Sequence, residues 1–266
     1  MIVTADDVGL SPAVTRGALR AARDGIVRSV SVIVNLPESG DAAEAGRSVP
    51  GLELGLHLNV LVGAPVSDPA SVASLLDLQG RFVGLGTLAR RLALGSVQPT
   101  ELAREVRAQV GRARALGIPA LAWDSHRHVH LLPPAARVIA PLARELGARY
   151  VRRAALPSVR VGRLVAKRMV LALLTRASAS RYRGVGGNDW YVDLSMWSPA
   201  PDAAAIAGLA VLEGSGEFGC HPGEIDTLLA ERDSLVAPRE RELALLCDPR
   251  LRSTFGDRVR WRVPDA

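Results

Sequence analysis

Short β-branched runs alternate with amphipathic stretches along almost the whole chain, and no other feature of the sequence restricts the fold as much. Ile2 to Ala5 is an apolar run that ends in two aspartates, and Ser11-Pro12 then opens a helical stretch to about Ile26, with Ser as the N-cap and Pro at the first helical position. Arg28 to Asn35 reads as a second strand, Gly40 to Arg47 as a short helix and Leu52 to Val60 as a third strand. The Gly/Pro/Ser-rich stretch from Val62 to Ser74 reads as a long loop. Pro99 to Leu116 is a strong helix stopped by Gly117-Ile118-Pro119, and Ala120 to Trp123 is a fourth strand. A helix over Pro133 to Gly147, a strand over Arg149 to Arg153, helices over Val161 to Thr175 and Pro201 to Leu212, and a strand over Gly216 to Cys220 continue the rhythm. Ser178 to Trp197 carries no readable pattern. Parallel strands need long crossovers, so the alternation predicts an α/β fold with mainly parallel strands, in one domain spanning residues 1–266.

Composition narrows the function. With 48% hydrophobic and 23% charged residues over 266 positions, the chain is an ordinary globular sequence and not a disordered or fibrous one. Its apolar runs fall far short of the ~20 residues that span a bilayer, and its N-terminus lacks the features of a signal peptide, so a cytoplasmic location is expected. Two cysteines, Cys220 and Cys247, are too few for a disulfide framework or a thiolate zinc site. The net charge of +6 is scattered and forms no basic tail, which argues against nucleic acid as a partner.

All five histidines, His57, His126, His128, His130 and His221, follow or end a predicted strand. Asp6, Asp7 and Asp124 hold the same kind of position. In parallel α/β folds the carboxyl ends of the strands converge on one face, where active sites are built. Imidazoles and carboxylates together there form the ligand set of zinc or another first-row divalent metal. If His126 to His130 continued the fourth strand, alternation would put all three imidazoles on one side, so each is an open candidate as ligand.

Thr-Ala-Asp-Asp-Val-Gly-Leu-Ser at 4–11, Gly-Leu-His-Leu-Asn at 55–59, Asp-Ser-His-Arg-His-Val-His at 124–130 and His-Pro-Gly at 221–223 resemble the motifs of the YdjC-like carbohydrate deacetylases. That family includes chitooligosaccharide deacetylases and deacetylases associated with hopanoid biosynthesis. The segment from Glu240 to Pro249 is also similar to the family's C-terminal part. The resemblance implies a somewhat irregular (β/α) barrel that hydrolyses the N-acetyl group of an amino sugar with one divalent metal; the softness of two imidazoles puts zinc first, with magnesium, manganese, cobalt or nickel as alternatives. It implies Asp7, His57 and His126 as metal ligands and Asp6 as the catalytic base. Thr4, Val8 and Arg127 depart from the commonest family residues, and none of them is an implied ligand.

Within that scheme His221 is the first candidate for the acid that protonates the leaving amine, and His128 the second. Asp124 and His130 are expected to fix imidazole tautomers and ring planes. Arg127, Arg152 and Arg153 are candidate anion binders toward the substrate, and Trp190 is a candidate platform for a sugar ring. The basic stretch that includes Arg163, Lys167, Arg168 and Arg176 is interleaved with Met169, Val170, Leu171 and Leu173. It reads as a helix covering the barrel, or as one that touches an anionic membrane and so suits a lipid-linked sugar. A homo-oligomer is open. Rival readings are a phosphoesterase or amidohydrolase on the same barrel, and a non-catalytic sugar-binding relative.

Overall fold

The computed structural model describes residues 1–157, 166–197 and 200–263. Seven strands make up the sheet: β1 (Ile2–Val8), β2 (Ser29–Val32), β3 (Glu53–Leu58), β4 (Ala122–Ser125), β5 (Tyr150–Val151), β6 (Trp190–Asp193) and β7 (Gly216–Cys220). Their order is β5-β4-β3-β2-β1-β7-β6, and every neighbouring pair is parallel. Each return therefore runs outside the sheet. The returns carry α1 (Pro12–Asp24), α2 (Ser39–Arg47), α3 (Leu85–Ala93) with α4 (Pro99–Ala115), α5 (Pro133–Glu145), α6 (Ala166–Ser178) and α7 (Ala203–Ala207). After β7 come α8 (Thr227–Arg232), α9 (Pro238–Leu246) and α10 (Pro249–Phe255). Local chemistry sets the helix starts as the sequence suggests. Ser11 Oγ accepts from Val14 N with Pro12 at the first helical position, and Pro99 and Pro133 open α4 and α5.

The two sheet edges are drawn together. Val151 N donates to Gly186 O, Gly186 N to Arg149 O and Tyr191 N to Ala155 O, at 2.9, 3.0 and 2.7 Å, so the chain leading into β6 pairs with β5 and its extension. The sheet curls into an irregular barrel. This approach requires glycine: a Cβ at Gly186 would lie 2.5 Å from Arg149 O, and one at Gly187 would lie 2.7 Å from Val151 O. The stretch that carried no readable pattern thus supplies both β6 and the closure.

Three expectations are corrected. β4 extends to Ser125 and does not stop at Trp123. The helix expected over 201–212 is α7 followed by a 3-10 turn at Gly208–Val211. The helix expected over 161–175 is observed as α6, Ala166–Ser178, and the earlier part of the expected range falls outside the described residues. Among the described residues no helix is long and apolar enough to cross a membrane.

Candidate active site

The strand ends β1, β3, β4, β6 and β7 surround one cavity of about 120 Å³. Asp6, Asp7, His57, His126, His128, Asp193 and His221 line it. Adjacent residues on a regular strand point to opposite faces, yet Asp6 and Asp7 both reach the cavity. The β1–β2 register shifts between Ala5 and Val8, and Asp7 adopts φ 65°, a left-handed conformation that turns its side chain inward.

His57 stands opposite Asp124 in the β3–β4 register. Its Nδ1 lies 2.7 Å from Asp124 Oδ1, which leaves Nε2 buried, without a hydrogen-bond partner, 3.3 Å from Asp7 Oδ1. His126 Nδ1 lies 2.8 Å from the same Asp7 oxygen. Asp7 is clamped on its other side, where Oδ2 accepts from Arg239 Nη2 at 2.6 Å. Burial pushes the Asp7 carboxyl up, but His126 and Arg239 hold it well below the usual carboxylate range. Burial also works against a charged His57, and the Asp124 carboxylate outweighs it and lifts the imidazole to about 10. The cluster therefore demands a positive charge at its centre.

Two groups of side chains among the described residues bring ligand atoms within 4.8 Å of one another: Asp7, His57 and His126, and Asp6, His57 and Asp124. The first fits a metal better. Both Asp6 oxygens already accept from Arg152, at 2.6 and 2.8 Å, and Asp124 Oδ2 is held by Ser31 Oγ at 2.6 Å and by Arg152 at 2.7 Å. A cation placed between Asp6 and Asp124 would face that guanidinium. Two imidazoles and one carboxylate with an unpartnered, buried Nε2 are the donors a three-ligand divalent site needs.

The remaining histidines divide by environment. His221 Nε2 is 4.0 Å from Asp6 Oδ2, and its buried, unpartnered Nδ1 is 3.9 Å from Asp193 Oδ1 and 4.0 Å from Glu242 Oε2. Its backbone N–H donates to Glu242 Oε2 at 2.6 Å. Burial raises the Glu242 carboxyl to about 7, although His221 opposes the shift. His128 lines the cavity with Nε2 3.8 Å from Asp193 Oδ2, and burial lowers its pKa. His130 lies behind the cavity: Nδ1 is 2.6 Å from Ser125 Oγ and Nε2 is 3.0 Å from Arg152 O. Burial lowers it to about 3, so it is a neutral brace between β4 and β5.

The expectation that three imidazoles would share one side of a strand does not hold. His126 to Leu131 is a 3-10 turn in which Arg127 and His128 take φ 53° and 57°. The same turn brings Arg127 to the cavity rim, where it pairs with Asp233 and donates to Ser234 Oγ at 3.0 Å. Arg152 is fully buried, bound to Asp6, Asp124 and Glu217. It orients the carboxylates and does not itself face a substrate. Arg153 spends its guanidinium on Val185 O at 2.9 Å, and the buried Trp190 donates from Nε1 to Glu213 O at 2.8 Å; neither lines the cavity. Sequence reasoning missed Asp193, Arg239 and Glu242. Asp193 ends a Trp-Tyr-Val-Asp run, the same strand-end signature as Asp6 and Asp124, and could have been found from it.

Residues 1–257 match the YdjC-like protein family. Among curated proteins, the chain is 30% identical to a carbohydrate deacetylase of Geobacillus stearothermophilus, covering 97% of this chain and 93% of that protein. It is likewise 30% identical to a chitooligosaccharide deacetylase of Yersinia pestis, covering 97% and 94%. A solved structure from Enterococcus faecalis V583, named as a candidate cellobiose-phosphate cleavage protein, superimposes with a TM-score of 0.79 at 26% identity over 97% of this chain and 94% of that one.

Proposed function

This chain belongs to the YdjC-like protein family, and we propose that it is a carbohydrate N-deacetylase, a hydrolase that removes the acetyl group from an N-acetylated amino sugar. The observation that carries the reading is the convergence of Asp6, Asp7, His57, His126 and His221 on one small cavity. The cavity, of about 120 Å³, sets the acetamido group among these side chains. The sugar then rests at the rim, beside Arg127 and Lys167.

Asp7, His57 and His126 are the residues that would hold a divalent metal, zinc first on the softness of two imidazoles, and the metal supplies Lewis acidity toward the acetamide oxygen and a lowered pKa for water. Asp6 accepts the proton of the water that adds to the acetamide carbon, and Arg152 fixes both of its oxygens so that the carboxylate stays in place. His221 delivers a proton to the sugar nitrogen as the C–N bond breaks. Asp193 Oδ1 and Glu242 Oε2 lie 3.9 and 4.0 Å from its Nδ1. Asp6 Oδ2 then returns its proton toward His221 Nε2 across the 4.0 Å that separates them, which restores the starting state. His128, kept neutral by burial, is the weaker proton donor and serves as a hydrogen-bonding wall of the cavity. Asp124 orients the His57 ring, whereas His130 bonds Ser125 and the Arg152 carbonyl and braces β4 against β5 in place of the imidazole-orienting role expected of it.

The test is acetate release from N-acetylated sugars, including chitobiose, a nucleotide sugar and a lipid-linked sugar, by protein stripped of metal and reloaded with Zn²⁺, Co²⁺ or Mg²⁺. Metal-dependent acetate supports the reading, and an Asp6→Asn protein as active as wild type would overturn the base assignment.

A further inference from the structure

α6 is built inside out. Its buried face carries Arg168, Thr175 and Ser178 with Leu171, and Thr175 Oγ1 accepts from Ala154 N at 3.0 Å. Its solvent face carries Met169, Val170 and Leu173, exposed by 42%, 53% and 62%, at i, i+1 and i+4 of one helical stripe. A helix on a soluble barrel normally shows the opposite pattern, and a contiguous apolar stripe turned to solvent marks a surface that docks on something.

Charge identifies the occupant. From Leu146 to Asn188 the sequence contains no aspartate or glutamate, while arginine recurs throughout and the chain's one lysine, Lys167, falls within it. Lys167 and Arg176 flank the apolar stripe and are exposed. A symmetric contact with a second copy would bring these cations against their own images. An anionic lipid surface meets both features at once, taking the apolar side chains into its outer layer and pairing its headgroups with the cations. Lys167 also lines the catalytic cavity, so a helix lying on the bilayer sets the cavity rim at headgroup level.

We propose that the solvent face of α6 docks on anionic membrane and that the sugar presented to the cavity is carried on a lipid anchor. The docking itself stands on α6 alone, whereas the lipid-carried substrate rests on the deacetylase reading. Cosedimentation of the full chain with vesicles of phosphatidylcholine, or of phosphatidylcholine mixed with phosphatidylglycerol, tests the docking without reference to catalysis. Wild type is expected to bind the mixed vesicles at low ionic strength, to ignore the neutral ones, and to be released by salt. A Val170→Ser, Leu173→Ser double variant should lose about tenfold or more in partition, and Arg176→Gln a smaller part. Both should keep wild-type acetate release from a soluble N-acetylated oligosaccharide, which also reports that they are folded. Indifference of wild type to anionic vesicles, equal partition of the double variant, or an apolar face that instead joins two copies in sedimentation equilibrium would each overturn the docking proposal. If acetate release is absent from wild type on every sugar, the deacetylase reading fails and the vesicle result still decides the docking.

Discussion

Arg239 reaches Asp7 from α9, 232 residues along the chain, and donates to its Oδ2 at 2.6 Å. That bond leaves only Oδ1 turned toward His57 and His126, so Arg239 decides which oxygen of Asp7 is available to a metal. Supporting hydrogen bonds of this kind typically alter metal affinity by ~10–100-fold when removed. Arg239→Lys, which keeps the charge and loses the fixed fork, is expected to weaken zinc binding within that range. Titration calorimetry on the stripped protein reads this directly, and an unchanged affinity would show that Asp7 is oriented without Arg239.

His57 ties metal binding to pH. With its imidazole held up near 10, the stripped protein carries a proton on the Nε2 that a metal must take. Apparent affinity should therefore rise about tenfold per pH unit between pH 7 and 9. Stability of the stripped protein moves the other way. A folded-state pKa above the unfolded value near 6.5 contributes stability that is complete below 6.5 and is lost as pH climbs toward 10. Asp124→Asn should flatten both trends, because the Asp124 carboxylate is the largest influence raising His57. A pH-independent metal affinity in wild type would contradict the proton displacement.

Barrel closure at Gly186 and Gly187 gives a prediction about stability. A Cβ would stand 2.5 Å from Arg149 O at the first position and 2.7 Å from Val151 O at the second, and both obstacles are backbone that cannot swing away. Alanine at either site is expected to cost about 1–3 kcal/mol. Gly111, in the middle of α4 with nothing within 4 Å of a built Cβ, provides the contrast. There alanine should be neutral or stabilising by up to ~1 kcal/mol. Thermal denaturation of the three variants measures both, and equal melting temperatures for all three would remove the closure argument.

The same region shows how far the sequence could be read. Strands β1, β2, β3 and β7 and helices α1, α4 and α5 carry their own periodicity and caps, so they were legible, and so was the gathering of histidines and aspartates at strand ends. What escaped depends on partners distant in sequence. The bulge that turns Asp7 inward is a mismatch between β1 and β2, not a property of either strand. Arg152 looked like an anion binder facing the substrate because its three carboxylate partners come from β1, β4 and β7. His126 to His130 imitated a strand because alternation in a short segment does not distinguish extended backbone from a turn with two left-handed residues. Arg239 and Glu242 sit on a helix whose polar residues gave no sign of facing inward.

Glu242 offers a test of the environment around His221. Its carboxyl is buried and raised to about 7, against about 4.5 when unfolded. The folded state therefore holds the proton more tightly than the unfolded state between pH 4.5 and 7. Stability contributed by this group is complete below 4.5 and falls as pH rises through that window, by about 3 kcal/mol at most for a shift of this size. The depressed carboxyls of Asp7, Asp124 and Asp193 act in the opposite sense and only at lower pH, as acid protonates them. Glu242→Gln removes the titration and keeps the shape, so the difference in stability between wild type and variant should grow in the variant's favour from pH 4.5 to 7 and then level off. Catalysis should suffer as stability gains, since the variant puts an amide in place of the carboxyl that accepts from the His221 backbone N–H and lies 4.0 Å from its Nδ1. Urea denaturation across the pH range reads the first effect and a pH–rate profile the second. A stability difference that stays constant with pH would mean that Glu242 ionises in the folded protein as it does in the unfolded chain.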